Sequence, residues 1–251
     1  MKEKIGVAPY TALALIYDAV MQHVDYRRWA RYVHALIEKH CPGAHRLVDL
    51  SCGTGSCCLR LAELGYETVG IDFSPAMIRA ARKKRARRGS LFLCADMVHP
   101  PVHPGADVLI SLYDSINYLQ FERQWLECLR NGFDLLRKGG VFIFDVSTVY
   151  NSFSEFSDYR EEHQVHNGTY RRISSFDAET GIQTNYFEII LRDRPDVVFC
   201  ETHRQVIRRL SEIDGMIGRS PFRKAANYKD FTFLPATERC ERVHYVLRRE
   251  S

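Results

Sequence analysis

Hydrophobic positions change their period twice along the chain. Between residues 10 and 40, Leu13, Ile16, Tyr17, Val20 and Met21, then Trp29, Tyr32, Val33, Leu36 and Ile37, recur at helical spacing. Two helices are predicted, split near Asp25, the second ended by Cys41-Pro42-Gly43. Apolar runs then alternate with helical stretches: strands at 46–50, 67–71, 91–94, 108–113 and 141–146, with helices up to Leu64, from Pro75 through a basic run, and over 123–136. Strands alternating with helices imply right-handed crossovers and a parallel, doubly wound α/β sheet.

After Val146 the period becomes two. Residues 169–176, 183–191 and 197–208 alternate apolar with polar side chains and are separated by Glu179-Thr180-Gly181 and Arg194-Pro195-Asp196, which predicts antiparallel strands. A helix over 210–217 and strands at 228–234 and 242–247 follow. No flexible linker marks the change near Tyr150. The expected organisation is one domain over 1–251: a helical cover (1–40), a binding core (41–150), and antiparallel strands (151–251) that complete the sheet and cover the substrate.

A chain of 251 residues that is 45% hydrophobic can bury a continuous core, which excludes a disordered or fibrous protein. The eight cysteines form no Cys-x-x-Cys pair and no zinc spacing. They read as reduced, buried thiols of a cytoplasmic protein. No run approaches the ~18 apolar residues of a membrane span. The net charge of +4 is a local matter: residues 79–88 hold seven basic and no acidic side chains, and without them acidic residues outnumber basic ones by three. This run is either a solvated helix face or a contact for nucleic-acid phosphates, and the absence of interleaved aromatics favours the first. His163-Gln164-Val165-His166 reads as a surface strand, because the two imidazoles lack a third ligand, so no metal is expected. Cys57-Cys58 opens the helix after the glycine turn, where burial explains it better than reactivity.

Candidate chemistry begins at Val48-Asp49-Leu50-Ser51-Cys52-Gly53-Thr54-Gly55-Ser56, a glycine turn between the first parallel strand and its helix. Asp72 ends the second strand, where a carboxylate can accept from both ribose hydroxyls. A dinucleotide fingerprint read from Gly53 fails at its third place, which is Cys58. Asp49 beside the turn would repel a pyrophosphate but suits a cationic amino group and sulfonium. Asp96, ending the third strand, can accept from an adenine amino group. Three acids thus end three successive strands, in favour of an adenosine-containing cation without phosphates.

These segments, with Gly70-Ile71-Asp72-Phe73-Ser74 and Met77, Ala95-Asp96-Met97, Asp107 to Tyr113, and Leu136-Arg137-Lys138-Gly139-Gly140-Val141, resemble the class I S-adenosylmethionine-dependent methyltransferases over roughly residues 10–150. Tyr17-Asp18, Trp29, Asp114-Ser115-Ile116-Asn117-Tyr118, Glu201-Thr202-His203-Arg204-Gln205 and Arg242-Val243-His244-Tyr245-Val246-Leu247 resemble a bacterial subgroup acting on small molecules. Ser51 stands where most of that family has glycine. The resemblance implies that Ser51, Gly53 and Gly55 line the methionine portion of S-adenosylmethionine with Asp49 near its amino group. Asp72 would hold the ribose, Phe73 and Met77 flank the adenine, and Asp96 with the Met97 amide read its edge. Tyr113, Tyr17 and Trp29 would complete the cofactor wall.

The expected reaction is in-line transfer of the methyl to an N or O atom of a small or medium-sized molecule, leaving S-adenosylhomocysteine. Asp114, His203 and Tyr118, in that order, are the candidate bases. An RNA methyltransferase, an NAD-dependent oxidoreductase and a non-catalytic S-adenosylmethionine-binding module are the alternative readings.

Overall fold

The computed structural model describes residues 2–84 and 90–250. The amino-terminal segment runs through β1 (Glu3–Gly6), a 3-10 turn (Leu13–Leu15), α1 (Tyr17–Val20) and α2 (Tyr26–His40). α2 begins at the predicted break because the Asp25 side chain accepts from the amides of Arg27 and Arg28 at 3.0 and 2.9 Å. Next come β2 (Arg46–Asp49), α3 (Ser56–Glu63), β3 (Glu67–Asp72), α4 (Pro75–Lys83), β4 (Ser90–Cys94), β5 (Ala106–Ser111), a 3-10 turn (Ser115–Tyr118), α5 (Glu122–Leu135) and β6 (Leu136–Ser147). The carboxyl-terminal part holds α6 (Val149–Phe156), β7 (Tyr159–Val165), β8 (Gly168–Asp177), β9 (Ile182–Leu191), β10 (Arg194–Val206), α7 (Leu210–Gly218), β11 (Arg223–Lys229) and β12 (Arg242–Arg248).

A seven-stranded sheet has the order β11-β12-β6-β5-β2-β3-β4. β6, β5, β2, β3 and β4 are mutually parallel, and β12 runs against both of its neighbours. Strands covered on both faces read as unbroken apolar runs, and all six residues of β5 are buried. The strand order reverses between β2 and β5, which opens a crevice at their carboxyl ends.

The second sheet, β1-β10-β9-β8-β7, is antiparallel except for the β1/β10 pair. It is joined to the β5 edge by Gln205 Nε2, which donates to Asp114 Oδ2 at 2.6 Å, and by Gln120 Nε2, which donates to the Arg204 carbonyl at 2.8 Å.

Two of these elements, β1 and α6, were not predicted, and of β7 only the surface strand at 163–166 was read from the sequence. β1 has one apolar residue and is held by backbone pairing to β10; β7 is an edge strand with little burial; α6 is marked only by its cap, Thr148 Oγ1, accepting from the Asn151 amide at 3.1 Å. The strand expected at 228–234 lies instead at Arg223–Lys229, because Asp230 turns the chain with φ +46°. α4 is described as far as Lys83; residues 85–89 of the predicted basic helix lie outside the described residues. His163 sits on β7 with Nε2 3.4 Å from Glu161 Oε2, His166 lies beyond that strand, and no group of three metal ligands occurs among the described residues. Among those residues no helix is long and apolar enough to cross a membrane.

Candidate active site

A cavity of about 560 Å³ occupies the crevice. Its floor is the glycine turn. Gly53 and Gly55 adopt φ +54° and +77°, and a Cβ on Gly55 would lie 2.7 Å from the Phe92 ring, so only glycine fits there without strain. Ser51 is absent from the residues with positive φ and its Oγ lies 3.1 Å from Ser111 Oγ, so the serine is tolerated where the family usually has glycine. Asp49 is 2% exposed; its carboxylate accepts from the Ser51 amide at 3.1 Å and from Cys58 Sγ at 3.4 Å. Burial pushes its carboxyl up to about 7, with Asp72 and Asp145 acting in the same direction. A buried acid so placed is matched by a cationic ligand.

Each oxygen of Asp72 accepts one backbone bond, Oδ2 from Gly53 at 2.9 Å and Oδ1 from Ser74 at 2.8 Å. These bonds fix the carboxylate while each oxygen keeps acceptor capacity for a neighbouring pair of hydroxyls. Phe73 is 77% exposed at the cavity rim, and Met77 is buried in its wall. Asp96 spends Oδ1 on the Val98 amide at 2.8 Å, and Met97 adjoins it in the wall. Tyr17 and Trp29 line the cavity from the amino-terminal cover, and Thr54 Oγ1 ties that cover to the turn by donating to Asp18 at 2.6 Å. This donor and acceptor set fits an adenosine carrying a cationic amino acid.

The opposite wall begins at Tyr113 and Asp114, which adopt φ +62° and +50° where β5 ends. The Asp145 carboxylate stabilises this unusual pair by accepting both amides, at 2.7 and 2.9 Å. Arg242 bridges Asp145 and Asp114, reaching the latter at 3.0 Å, and lies over the Trp29 and Tyr113 rings. Burial raises the Asp114 carboxyl and Arg242 opposes the rise.

β10 supplies the rest through a buried polar row, Glu201, His203 and Gln205, on one strand face. Glu201 is fully buried and accepts four backbone amides, those of Tyr10, Thr11, Ala12 and Leu13, at 2.7, 3.1, 2.6 and 2.9 Å. His203 Nε2 lies 3.1 Å from Glu201 Oε2 and Nδ1 lies 2.9 Å from the Tyr118 hydroxyl, which in turn is 2.8 Å from the Tyr10 hydroxyl.

Asp49, Ser51, Gly53, Asp72, Phe73, Met77, Asp96, Met97, Tyr113, Tyr17 and Trp29 all line this one cavity, as do Asp114, Tyr118 and His203, whereas Gly55 packs against Phe92 behind the turn and Glu201 stands behind His203. Sequence reasoning did not find Tyr10, Arg172, Asn185 or Gln205, which line it too. The signal for the last three was a polar residue at an inward position of a period-two strand. Cys57 and Cys58 are buried and their thiols are pushed well up, which fits a packing role.

Residues 47–140 match the family model described as a methyltransferase domain. YqeM of Bacillus subtilis, whose name gives a methyltransferase and no acceptor, is 28% identical over 240 residues, 94% of this chain and 95% of its own. An S-adenosylmethionine-dependent methyltransferase of Clostridium acetobutylicum has a TM-score of 0.82 at 21% identity, covering 96% of this chain and 99% of that one. CalS10 of Micromonospora echinaspora, an amino pentose methyltransferase solved with its cofactor bound, has a TM-score of 0.73 at 18% identity, covering 93% and 96%. The solved structures share the fold of S-adenosylmethionine-dependent methyltransferases, and the sequence matches go beyond the fold: this chain carries a methyltransferase domain over residues 47–140 and is similar along nearly its whole length to a methyltransferase of Bacillus subtilis.

Proposed function

We propose that this enzyme methylates a nitrogen or oxygen atom of a small polar molecule within one catalytic unit formed by the whole chain. The observation that carries this reading is the buried chain that runs from Tyr118 and His203, which line the cavity, to Glu201 behind them. Asp49, Ser51, Gly53 and Gly55 hold the methionine portion, Asp72 the ribose, and Phe73, Met77, Asp96 and Met97 the adenine. Tyr17, Trp29 and Tyr113 close around the sulfonium. The amino pentose acceptor of CalS10 supports a polar, nitrogen-bearing acceptor.

S-adenosylmethionine, when bound, supplies an electrophilic methyl whose bond to sulfur breaks as the acceptor's lone pair attacks. The protein holds that lone pair in line and excludes water. With Nε2–H donated to Glu201, His203 Nδ1 accepts from the Tyr118 hydroxyl, whose oxygen accepts from Tyr10 and keeps a second lone pair for the acceptor's proton. Tyr118 passes its own proton to Nδ1, and Glu201 balances the imidazolium. Asp114 is less suited to this task because Arg242 and Gln205 already occupy its carboxylate.

Assay of S-adenosylhomocysteine release with amines, amino sugars, phenols and carboxylates tests the proposal. His203→Gln is expected to lower kcat by about 10²- to 10⁴-fold, the usual contribution of a positioned base, with little change in S-adenosylhomocysteine affinity. Transfer confined to nucleic acid, or S-adenosylmethionine binding with no turnover on any acceptor, would overturn it.

A further inference from the structure

Arg172 is the one arginine or lysine among the described residues that line the cavity, and the reaction does not explain it. It lies in register with Phe187 on β9, and Phe187 with Glu201 on β10; the adjacent row is Ser174, Asn185 and His203. The guanidinium therefore belongs to the same inward face as the proposed proton route. Nε donates to Ser174 Oγ at 3.0 Å, and Nη2 donates to Asn185 Oδ1 at 2.7 Å. Phe156, Tyr159 and Phe187 surround it, with ring centroids 5.1, 5.4 and 5.7 Å from Cζ.

These contacts fix the plane of the group and leave Nη1 with a loose approach to Glu161, 3.8 Å away. A guanidinium fork held rigidly with donors to spare is suited to a planar or tetrahedral oxyanion. Its location makes the case stronger. The carboxylates of the cavity are engaged elsewhere, with backbone amides, Gln205 and Arg242, and Glu161 reaches Arg172 only at 3.8 Å, so an anionic group on the other substrate would meet a cation with no close carboxylate partner.

We infer that the methyl acceptor carries an anionic oxygen group, a carboxylate or a phosphate, which Arg172 binds while Asn185 and Ser174 hold the guanidinium in place. This rests on the acceptor site proposed above and narrows its substrate class. Arg172 is then a specificity residue, and the uncharged relatives of the true acceptor are poor substrates.

The test uses the full chain saturated with S-adenosylhomocysteine and two probes, 13C-labelled acetate and inorganic phosphate, followed by NMR line broadening. Broadening is expected with one or both probes, lost in Arg172→Gln, retained in part in Arg172→Lys, and several-fold stronger in Glu161→Gln, which removes the competing carboxylate. Acetate alone identifies a carboxylate acceptor and phosphate alone a phosphorylated one. Broadening equal in wild type and Arg172→Gln, or absent from wild type and Glu161→Gln alike, overturns the inference. So does a large loss of S-adenosylhomocysteine affinity in Arg172→Gln, which would assign the guanidinium to the cofactor's own carboxylate. Normal S-adenosylhomocysteine binding in every variant serves as the folding control. Methyl transfer to an anionic acceptor at an undiminished rate in Arg172→Gln would leave the proposed reaction standing and sink this inference alone.

Discussion

Asp49 carries the clearest single-residue consequence. Its carboxyl is raised to about 7 because burial disfavours the charged form. An acid whose folded pKa lies above its ordinary value stabilises the protein less as pH rises, so this contribution is lost between the usual carboxylate range and pH 7. Cofactor binding has the opposite sign if Asp49 faces the cationic amino group, because the ligand favours the ionised form. S-adenosylhomocysteine affinity is expected to rise by about tenfold from pH 6 to pH 8 and then level off, with proton release on binding at the lower pH. Calorimetry in buffers of different ionisation enthalpy measures both, and Asp49→Asn should flatten the profile. A profile that survives in Asp49→Asn would place the titrating group elsewhere.

At the scale of elements, the glycine turn and the small sheet show opposite degrees of legibility. The turn, Asp72 and Asp96 were readable because they fall at fixed places, strand ends, where spacing and residue type together restrict the chemistry. The two glycines are not equivalent in the structure, however. Both have positive φ, but a Cβ on Gly53 meets open space whereas one on Gly55 runs into Phe92. Gly53→Ala is expected to cost about 1–2 kcal/mol for the left-handed backbone alone, and Gly55→Ala more, in urea unfolding. Equal losses would show that the Phe92 ring gives way freely. The small sheet was legible as strands but not as a site. Glu201 and His203 share a face at period two, yet their joint meaning depends on Tyr10 and Tyr118, residues far away in the chain. Arg242 likewise gave no local sign that it would bridge Asp114 to Asp145.

Across the whole molecule, the alternation of strands and helices recovered the parallel sheet, and period two recovered three strands of the second. What it missed, or read only in part, is held by long-range pairing: β1 adds to β10 through backbone bonds, and β7 closes an exposed edge. Neither buries enough apolar surface to leave a periodic signature. The two sheets meet over the cavity, so the acids of one and the polar row of the other face a shared space that no single stretch of sequence describes.

That meeting is held in part by one carboxylate. Glu201 gathers the amides of residues 10–13, and Tyr10, Thr11 and Leu13 also wall the cavity, so a single carboxylate fastens the segment that a bound cofactor would have to pass. If residues 10–13 lie over the bound cofactor, S-adenosylhomocysteine leaves only after this strap detaches, and its departure is expected to slow turnover. Glu201→Gln replaces one acceptor oxygen by a donor facing other donors, and S-adenosylhomocysteine should then escape at least about tenfold faster in stopped-flow displacement, as expected for about 1.4 kcal/mol or more of lost holding. An unchanged escape rate would mean that the nucleoside has another way out and that the strap does not hold it.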